Sequence, residues 1–258
     1  MGILNWFRGI GISVVYNIEL KNAYLTQLEM GDTIQGVSRS IPLVRMNQVH
    51  GVRCAWIESP PLQDETVLDG VDAMVCTVPD CIIAVRTADC LPVMVTHEHM
   101  IAGIHAGRRG LEDGIIAGVL QEMVDRVGST DGFGVWVGPA ICVSCYQIDR
   151  ELDRHMDLAL GAVNQIASVL PLGRVQLMLS GECTCCTNRY YSYRRDGTKE
   201  RIYTMGYFSH RNHGDIRSQT PNNVLAAPLN PEDSMWARVP STASGQRSLD
   251  PPNSRAIP

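Results

Sequence analysis

Between Asp72 and Ala106 four apolar runs, "DAMVCTV", "CIIAVRT", "LPVMVT" and "MIAGIHA", crowd into about thirty-five residues. Each is short and bounded by turn-forming or polar residues, which is the signature of a buried strand rather than a surface helix. Four such runs in succession predict a central sheet. Around them, "SIPLVRMNQVH" and "GVRCAWIE" read as strands, and "SPPLQDETVLDG" reads as a loop on its Pro, Asp and Gly content. "ISVVYNIEL", "GVWVGPAI", "RVQLMLS" and "RIYTMGYF" are further strand candidates. In "EDGIIAGVLQEMVDRVG" the apolar residues Ile115, Ile116, Val119, Leu120, Met123 and Val127 share one helical face, with Asp113 as N-cap and Gly128 as stop. "DRELDRHMDLALGAVNQIASVL" also reads as helical, with a break near Gly161.

The ends of the chain differ from its middle. From Pro221 onward the sequence is rich in Pro and Ser and poor in large apolar residues. Such a segment cannot bury enough surface to offset the entropy of ordering. The expectation is a domain over 1–220 and a disordered tail over 221–258. Hydrophobic residues make up 45% of the 258-residue chain and the formal charge is −5. That balance supports a packed core and disfavours a general nucleic-acid binder, which would carry a basic excess. No run approaches the ~20 apolar residues of a membrane span, and no signal peptide is recognisable. The expectation is a cytoplasmic protein without membrane contact. There, nine cysteines serve as packing, catalysts or metal ligands rather than disulfides.

Three residues stand at strand ends rather than within strand faces: His50, Cys90 and His105. Two imidazoles and a thiolate suit zinc, and a catalytic zinc commonly keeps a fourth position for water, whose pKa it lowers towards ~7. Asp89, beside Cys90, could then act on protons. The plain alternative is a structural histidine and a buried thiol. The separations of 40 and 15 residues do not form a self-contained metal motif.

"NQVHG", "DGVDAMVCT", "VRTADCLPVMV", "IAGIHAGRRGL", "VGPAICVSCYQI" and "CTCCTNRYYSYRRDG" follow one another in this order. Together they resemble the laccase-domain, or multicopper polyphenol oxidase, family. The resemblance covers roughly Val44 to Arg195. It implies a single-domain α/β layered sandwich, with mixed β-sheets flanked by helices. It implies a zinc, copper being less favoured, on His50, Cys90 and His105, with Asp89 matching the aspartate beside the ligand cysteine. It also implies phosphorolysis of adenosine, inosine, guanosine and methylthioadenosine, with adenosine deamination as a further activity and peptidoglycan editing in some members. Purine nucleoside and phosphate would be the partners. Arg194, Arg195 and Arg109 are the candidates for phosphate, with Arg108 a rival, because a guanidinium matches phosphate oxygens bidentately. The chain departs from the family pattern where "HAGRRG" lacks the usual tryptophan and where "TKER" follows "RRDG".

Three rival readings stay open: a cysteine hydrolase using Cys90 and His105, a copper oxidase of phenols, and a non-enzymatic cell-wall editing factor. Finally, Cys142-x-x-Cys145 and Cys183-x-x-Cys186 form two CxxC pairs, a pattern that can hold structural zinc. Their separation exceeds a usual zinc-ribbon gap.

Overall fold

The computed structural model describes residues 18–20, 23–28 and 41–208. The expected tail over 221–258, most of the first forty residues, His210 and His213 lie outside them. Two six-stranded sheets dominate. Sheet A runs in the order β1 (Ile18–Leu20), β2 (Ala23–Gln27), β14 (Ile202–Phe208), β7 (Ile82–Thr87), β3 (Leu43–Asn47), β5 (Glu65–Asp69). Sheet B runs β13 (Gln176–Leu179), β10 (Gly134–Val137), β8 (Leu91–His97), β9 (Met100–Ala106), β6 (Ala73–Cys76), β4 (Cys54–Ile57). Both are mixed: β3 is parallel to β5 and β7, whereas β8 is antiparallel to β9 and β10.

The layering explains the continuous apolar runs. Val44, Met46, Ile83 and Val85 of sheet A meet Met74, Cys76, Met94, Ile101 and Trp136 of sheet B between the sheets. The alternate residues of β8, β9 and β10, such as Val93, Val95, Ala102, Ile104, Val135 and Val137, point the other way. They pack against two helices, Ile115–Val127 and Leu158–Val169, through Ile116, Leu120, Met123, Ala162 and Ile166. On sheet A, Ile82, Ala84, Met205 and Tyr207 form a further cluster on the face away from sheet B. A strand apolar on both faces loses its period-two alternation. The result is a layered α/β sandwich.

Several expectations need correction. The four apolar runs do not form one central sheet. β7 belongs to sheet A, while β6, β8 and β9 belong to sheet B. The short link Ala88–Cys90 carries the chain from one sheet to the other. The stretch read as a loop contains β5, whose exposed Glu65, Val67 and Asp69 alternate with half-buried Thr66 and Leu68, as suits an edge strand. Asp113 does not cap the Ile115–Val127 helix. It closes the short helix Arg108–Glu112, and Gly114 at φ 84° precedes the longer one, which does stop at Gly128.

The segment 149–170 is helical only from Leu158. Asp149 accepts the N–H groups of Glu151 and Leu152, which turns the chain into a two-stranded hairpin of β11 (Gln147–Asp149) and β12 (Arg154–His155). Asp157 then caps the helix by accepting from the Leu160 N–H. Gly161 does not break the helix; a Cβ there would come within 2.7 Å of Leu111 Cδ2.

Candidate metal-centred active site

The site lies where the chain changes sheets. His50 sits between β3 of sheet A and β4 of sheet B. Cys90 ends the Ala88–Cys90 link between β7 and β8. His105 lies near the end of β9. These two crossovers and one strand end bring the ligand atoms of His50, Cys90 and His105 to within 4.8 Å of one another. The two imidazoles meet edge to face with ring centroids 4.8 Å apart. Gly107 makes this approach possible. A Cβ there would lie 3.0 Å from His50 Cδ2 and 3.3 Å from Cys90 Sγ. Both His50 (φ 63°) and Asp89 (φ 94°) adopt left-handed backbone, which is uncommon outside glycine and tends to persist at functional sites.

Sequence reasoning missed the group that holds the cluster. Asp72 is fully buried. One carboxylate oxygen, Oδ1, accepts from the His50 N–H at 2.8 Å and bonds His105 Nδ1 at 2.8 Å; the other accepts from the Gly51 N–H at 2.7 Å. With Nδ1 engaged, His105 keeps Nε2 for a metal. A carboxylate behind a ligand histidine fixes the ring and raises its basicity. The signal in the sequence was an aspartate opening the wholly buried strand "AMVC". Gln48 adds a second brace: its side-chain amide donates to Arg86 O at 2.9 Å and accepts from Arg86 N–H at 3.1 Å, tying the His50 loop to β7.

The electrostatics follow from this geometry. Burial would raise the Cys90 thiol, but hydrogen bonds from His105 and His50 outweigh it and bring it down to about 6. Burial would lower His105, but Asp72 and Cys90 raise it to about 9. Burial would likewise raise Asp72, but hydrogen bonds from His105, Gly51 and His50 hold it below the usual carboxylate value. The thiolate state that a metal requires is therefore favoured by the site itself. Two imidazoles and a thiolate, with a carboxylate behind one ring, form a donor set that fits a borderline divalent ion.

The cluster opens on a cavity of about 610 Å³. Its walls carry Arg86, Arg108, Arg109, Arg194 and Arg201, and among the described residues Asp89 is the only carboxylate lining it. Tyr146, Tyr193, Ile141 and Leu158 supply apolar surface. The arginines are not equivalent. Arg194 donates to the carbonyls of Cys145 (2.8 Å) and Gln147 (3.0 Å) and lies over the Tyr146 ring. Arg201 donates to the carbonyls of Thr198 and Glu200. Arg108 pairs loosely with Glu112 at 3.6 Å. Arg109 lines the cavity and is exposed. Among the described residues nothing engages its guanidinium.

Arg195, expected at phosphate, does not line the cavity. Its guanidinium donates to Asp196 and to the carbonyls of Thr184, Thr187 and Tyr190. Asp89 lines the cavity and is itself braced. Its Oδ1 accepts from the Thr184 hydroxyl at 2.7 Å and its Oδ2 from the Arg194 N–H at 2.6 Å.

Comparison with known proteins accords with this picture. Residues 30–170 match the family described as multi-copper polyphenol oxidoreductase laccase. A purine nucleoside phosphorylase of Aquifex aeolicus is 31% identical over 157 residues, covering 57% of this chain and 72% of the relative. Purine nucleoside phosphorylase ORF3 of Streptomyces griseus is 31% identical over 182 residues, covering 62% and 72%. Among solved structures, YlmD from Geobacillus stearothermophilus superposes with a TM-score of 0.65 at 18% identity, over 76% of this chain and all of that one. A Bacillus licheniformis hypothetical protein, YfiH, gives 0.56 at 22% identity, over 65% and 74%. Among the described residues no helix is long and apolar enough to cross a membrane. In sequence and in fold, the chain belongs to the multi-copper polyphenol oxidoreductase laccase family.

Proposed function

We propose that this protein is a zinc-dependent purine nucleoside phosphorylase acting on adenosine, inosine, guanosine and methylthioadenosine, with adenosine deamination as a second activity. The observation that carries the reading is the cavity: five arginines surround a space that opens on a His–Cys–His donor set. A volume of about 610 Å³ lies within the range of small-molecule sites, roughly 300–1,000 Å³. The names of the relatives supply the substrate class.

A zinc held by His50, Cys90 and His105 would supply a Lewis acid at the cavity wall. The chain's own residues do the rest. Asp72 holds His105 and the His50 loop in place. Arg109 offers an unengaged guanidinium to phosphate, while Arg194 shapes the wall through its carbonyl contacts. Tyr146 and Tyr193 offer ring faces for a purine. In phosphorolysis a phosphate oxygen bonds to ribose C1′ as the bond from C1′ to the purine nitrogen breaks, and the departing purine must take a proton. Each oxygen of Asp89 accepts one hydrogen bond and retains a second lone pair. Asp89 is therefore placed to pass a proton at the cavity in that step. In deamination the same carboxylate would serve as the proton shuttle, the role a carboxylate fills in other zinc deaminases.

The test is chromatography of adenosine incubated with metal-analysed protein, with and without phosphate. Adenine and ribose 1-phosphate appearing only with phosphate are expected. Inosine alone would reassign the protein to deamination. No turnover by metal-loaded protein would sink the enzymatic reading and leave the cell-wall editing role. Copper in the isolated protein would favour the oxidase instead, since two histidines and a cysteine also suit a copper site.

One observation favours a second reading. Asp72, His105 and Cys90 stand in the order of a carboxylate–imidazole–thiol relay, with the thiol lowered to about 6. A cysteine hydrolase would be isolated without metal and would be inactivated by stoichiometric alkylation of Cys90.

A further inference from the structure

The two CxxC pairs lie far apart in sequence but together in space. The reason is topological. β10 and β13 run parallel, with Val137 opposite Leu179. Cys142 follows Val137 by five residues and Cys183 follows Leu179 by four. Both pairs therefore emerge from the same end of sheet B. A parallel bridge between Ala140 and Cys183 continues the pairing, with Ala140 N–H donating to Glu182 O and Thr184 N–H to Ala140 O.

Each pair forms a tight turn. Cys145 and Tyr146 N–H groups donate to Cys142 O, and Thr187 N–H donates to Cys183 O. The four sulfurs lie within 4.8 Å of one another. Cys186 Sγ is 3.9 Å from Cys142 Sγ and 3.5 Å from Cys145 Sγ. A tetrahedral ion with metal–sulfur bonds of ~2.3 Å requires sulfur–sulfur edges of about 3.8 Å. A disulfide requires ~2.05 Å, and all four cysteines are free. Cys183 Sγ also accepts the N–H groups of Cys142 (3.2 Å) and Cys186 (3.4 Å), which favours a thiolate. Cys185 takes no place in the cluster.

We propose that Cys142, Cys145, Cys183 and Cys186 bind a second divalent metal, zinc by donor chemistry, in a closed structural site that clamps the Arg194 wall of the cavity. Four thiolates leave no open position, which separates this site from His50, Cys90 and His105. Binding exchanges the remaining thiol protons for metal–sulfur bonds. The clamp reaches the cavity through its own backbone and one neighbouring side chain. Cys145 O accepts from Arg194, Thr184 O and Cys185 O accept from Arg195, and the Thr184 hydroxyl donates to Asp89. This inference does not rest on the phosphorylase reading.

The experiment is metal counting on the full chain, purified under reducing conditions without chelator, followed by cobalt replacement. Two metals per chain are expected in the unmutated protein. Cys90→Ser should retain one, and its cobalt form should show the intense thiolate-to-metal charge transfer of four sulfurs. In that variant Cys142, Cys145, Cys183 and Cys186 should resist alkylation until a chelator is added. Cys90→Ser leaves the four-cysteine cluster untouched, so the test survives even if Cys142→Ser fails to fold. A metal-free Cys90→Ser protein with freely alkylated cluster thiols would overturn the proposal. So would disulfides among the four in the freshly isolated protein. Neither result bears on whether adenosine is phosphorolysed.

Discussion

The His50–Cys90–His105 cluster, gathered where the chain changes sheets, and the Cys142–Cys145–Cys183–Cys186 cluster, set beyond the ends of β10 and β13, are built on opposite logics. The first gathers three ligands from three separated segments, mixes nitrogen with sulfur, and faces a cavity walled by arginines. The second takes two short turns from one parallel strand pair and offers sulfur alone. Three donors leave room for a substrate; four donors complete a shell. The first also needs a support that the second lacks. Asp72 is buried behind His105, whereas the cysteine cluster is braced by backbone N–H groups. An open site must be held in shape from outside, while a closed site is held by its own metal.

This contrast breaks most sharply if the wrong cluster proves essential to turnover. Cys90→Ala should remove one metal and lower kcat/KM on the order of 10³-fold, since a Lewis acid contributes several kcal/mol at the barrier. Cys186→Ser should instead lower the melting temperature and keep measurable turnover. Equal losses of activity in the two variants would show that the clusters do not divide the work this way. Next in size is Asp72→Asn. Loss of the carboxylate should weaken metal binding at the open site by ~10–100-fold and leave the metal on the four cysteines in place. Competition with a chromogenic chelator reads both affinities in one titration.

What could be read in the sequence tracks how local each signal is. The buried strands were legible because Ile82–Thr87 and Leu91–His97 are short, apolar and bounded. Their division between two sheets was not, because only the turn at Ala88–Cys90 decides it. β5 and the β11–β12 hairpin were missed for the opposite reason. Edge strands and hairpins carry polar residues that also mark loops and helix surfaces. His50, Cys90 and His105 stood out at strand ends and were then tied together by the ordered family motifs, not by spacing, since sheet crossovers close gaps that sequence distance does not reveal. Asp72 was counted with the apolar run "DAMVCTV" and given no role of its own, although its carboxylate organises the whole cluster. The CxxC pairs were visible, but the parallel register that aligns them belongs to the sheet.

Arg109→Ala sharpens the contrast within the cavity itself. The Arg109 side chain is exposed and unengaged among the described residues, unlike that of Arg194, which is held by two carbonyls. A hydrogen bond to a charged group contributes about 1.5–3 kcal/mol, less when solvent competes. The KM for phosphate should therefore rise about tenfold while the KM for the nucleoside stays within about twofold. An unchanged phosphate KM would move the anion site to another of the lining arginines.

The smallest expected effect lies on a buried side chain that joins the two regions. Thr184 stands inside the second CxxC turn, yet its hydroxyl donates to Asp89 at 2.7 Å, and both residues are buried. Thr184→Val keeps the shape, removes the donor and leaves every sulfur in place. Asp89 Oδ2 retains the Arg194 N–H, so the carboxylate loses one of two side supports. A buried hydrogen bond of this kind contributes about 0.5–1.5 kcal/mol net, which corresponds to a two- to tenfold fall in kcat. The fall should appear in kcat and leave the KM for phosphate and for nucleoside within about twofold, because the proposed role of Asp89 lies in the proton step. Both metals should remain bound. An unchanged kcat would instead mean that Thr184 only packs the wall, and that the cysteine clamp and the open site adjoin but share no chemistry.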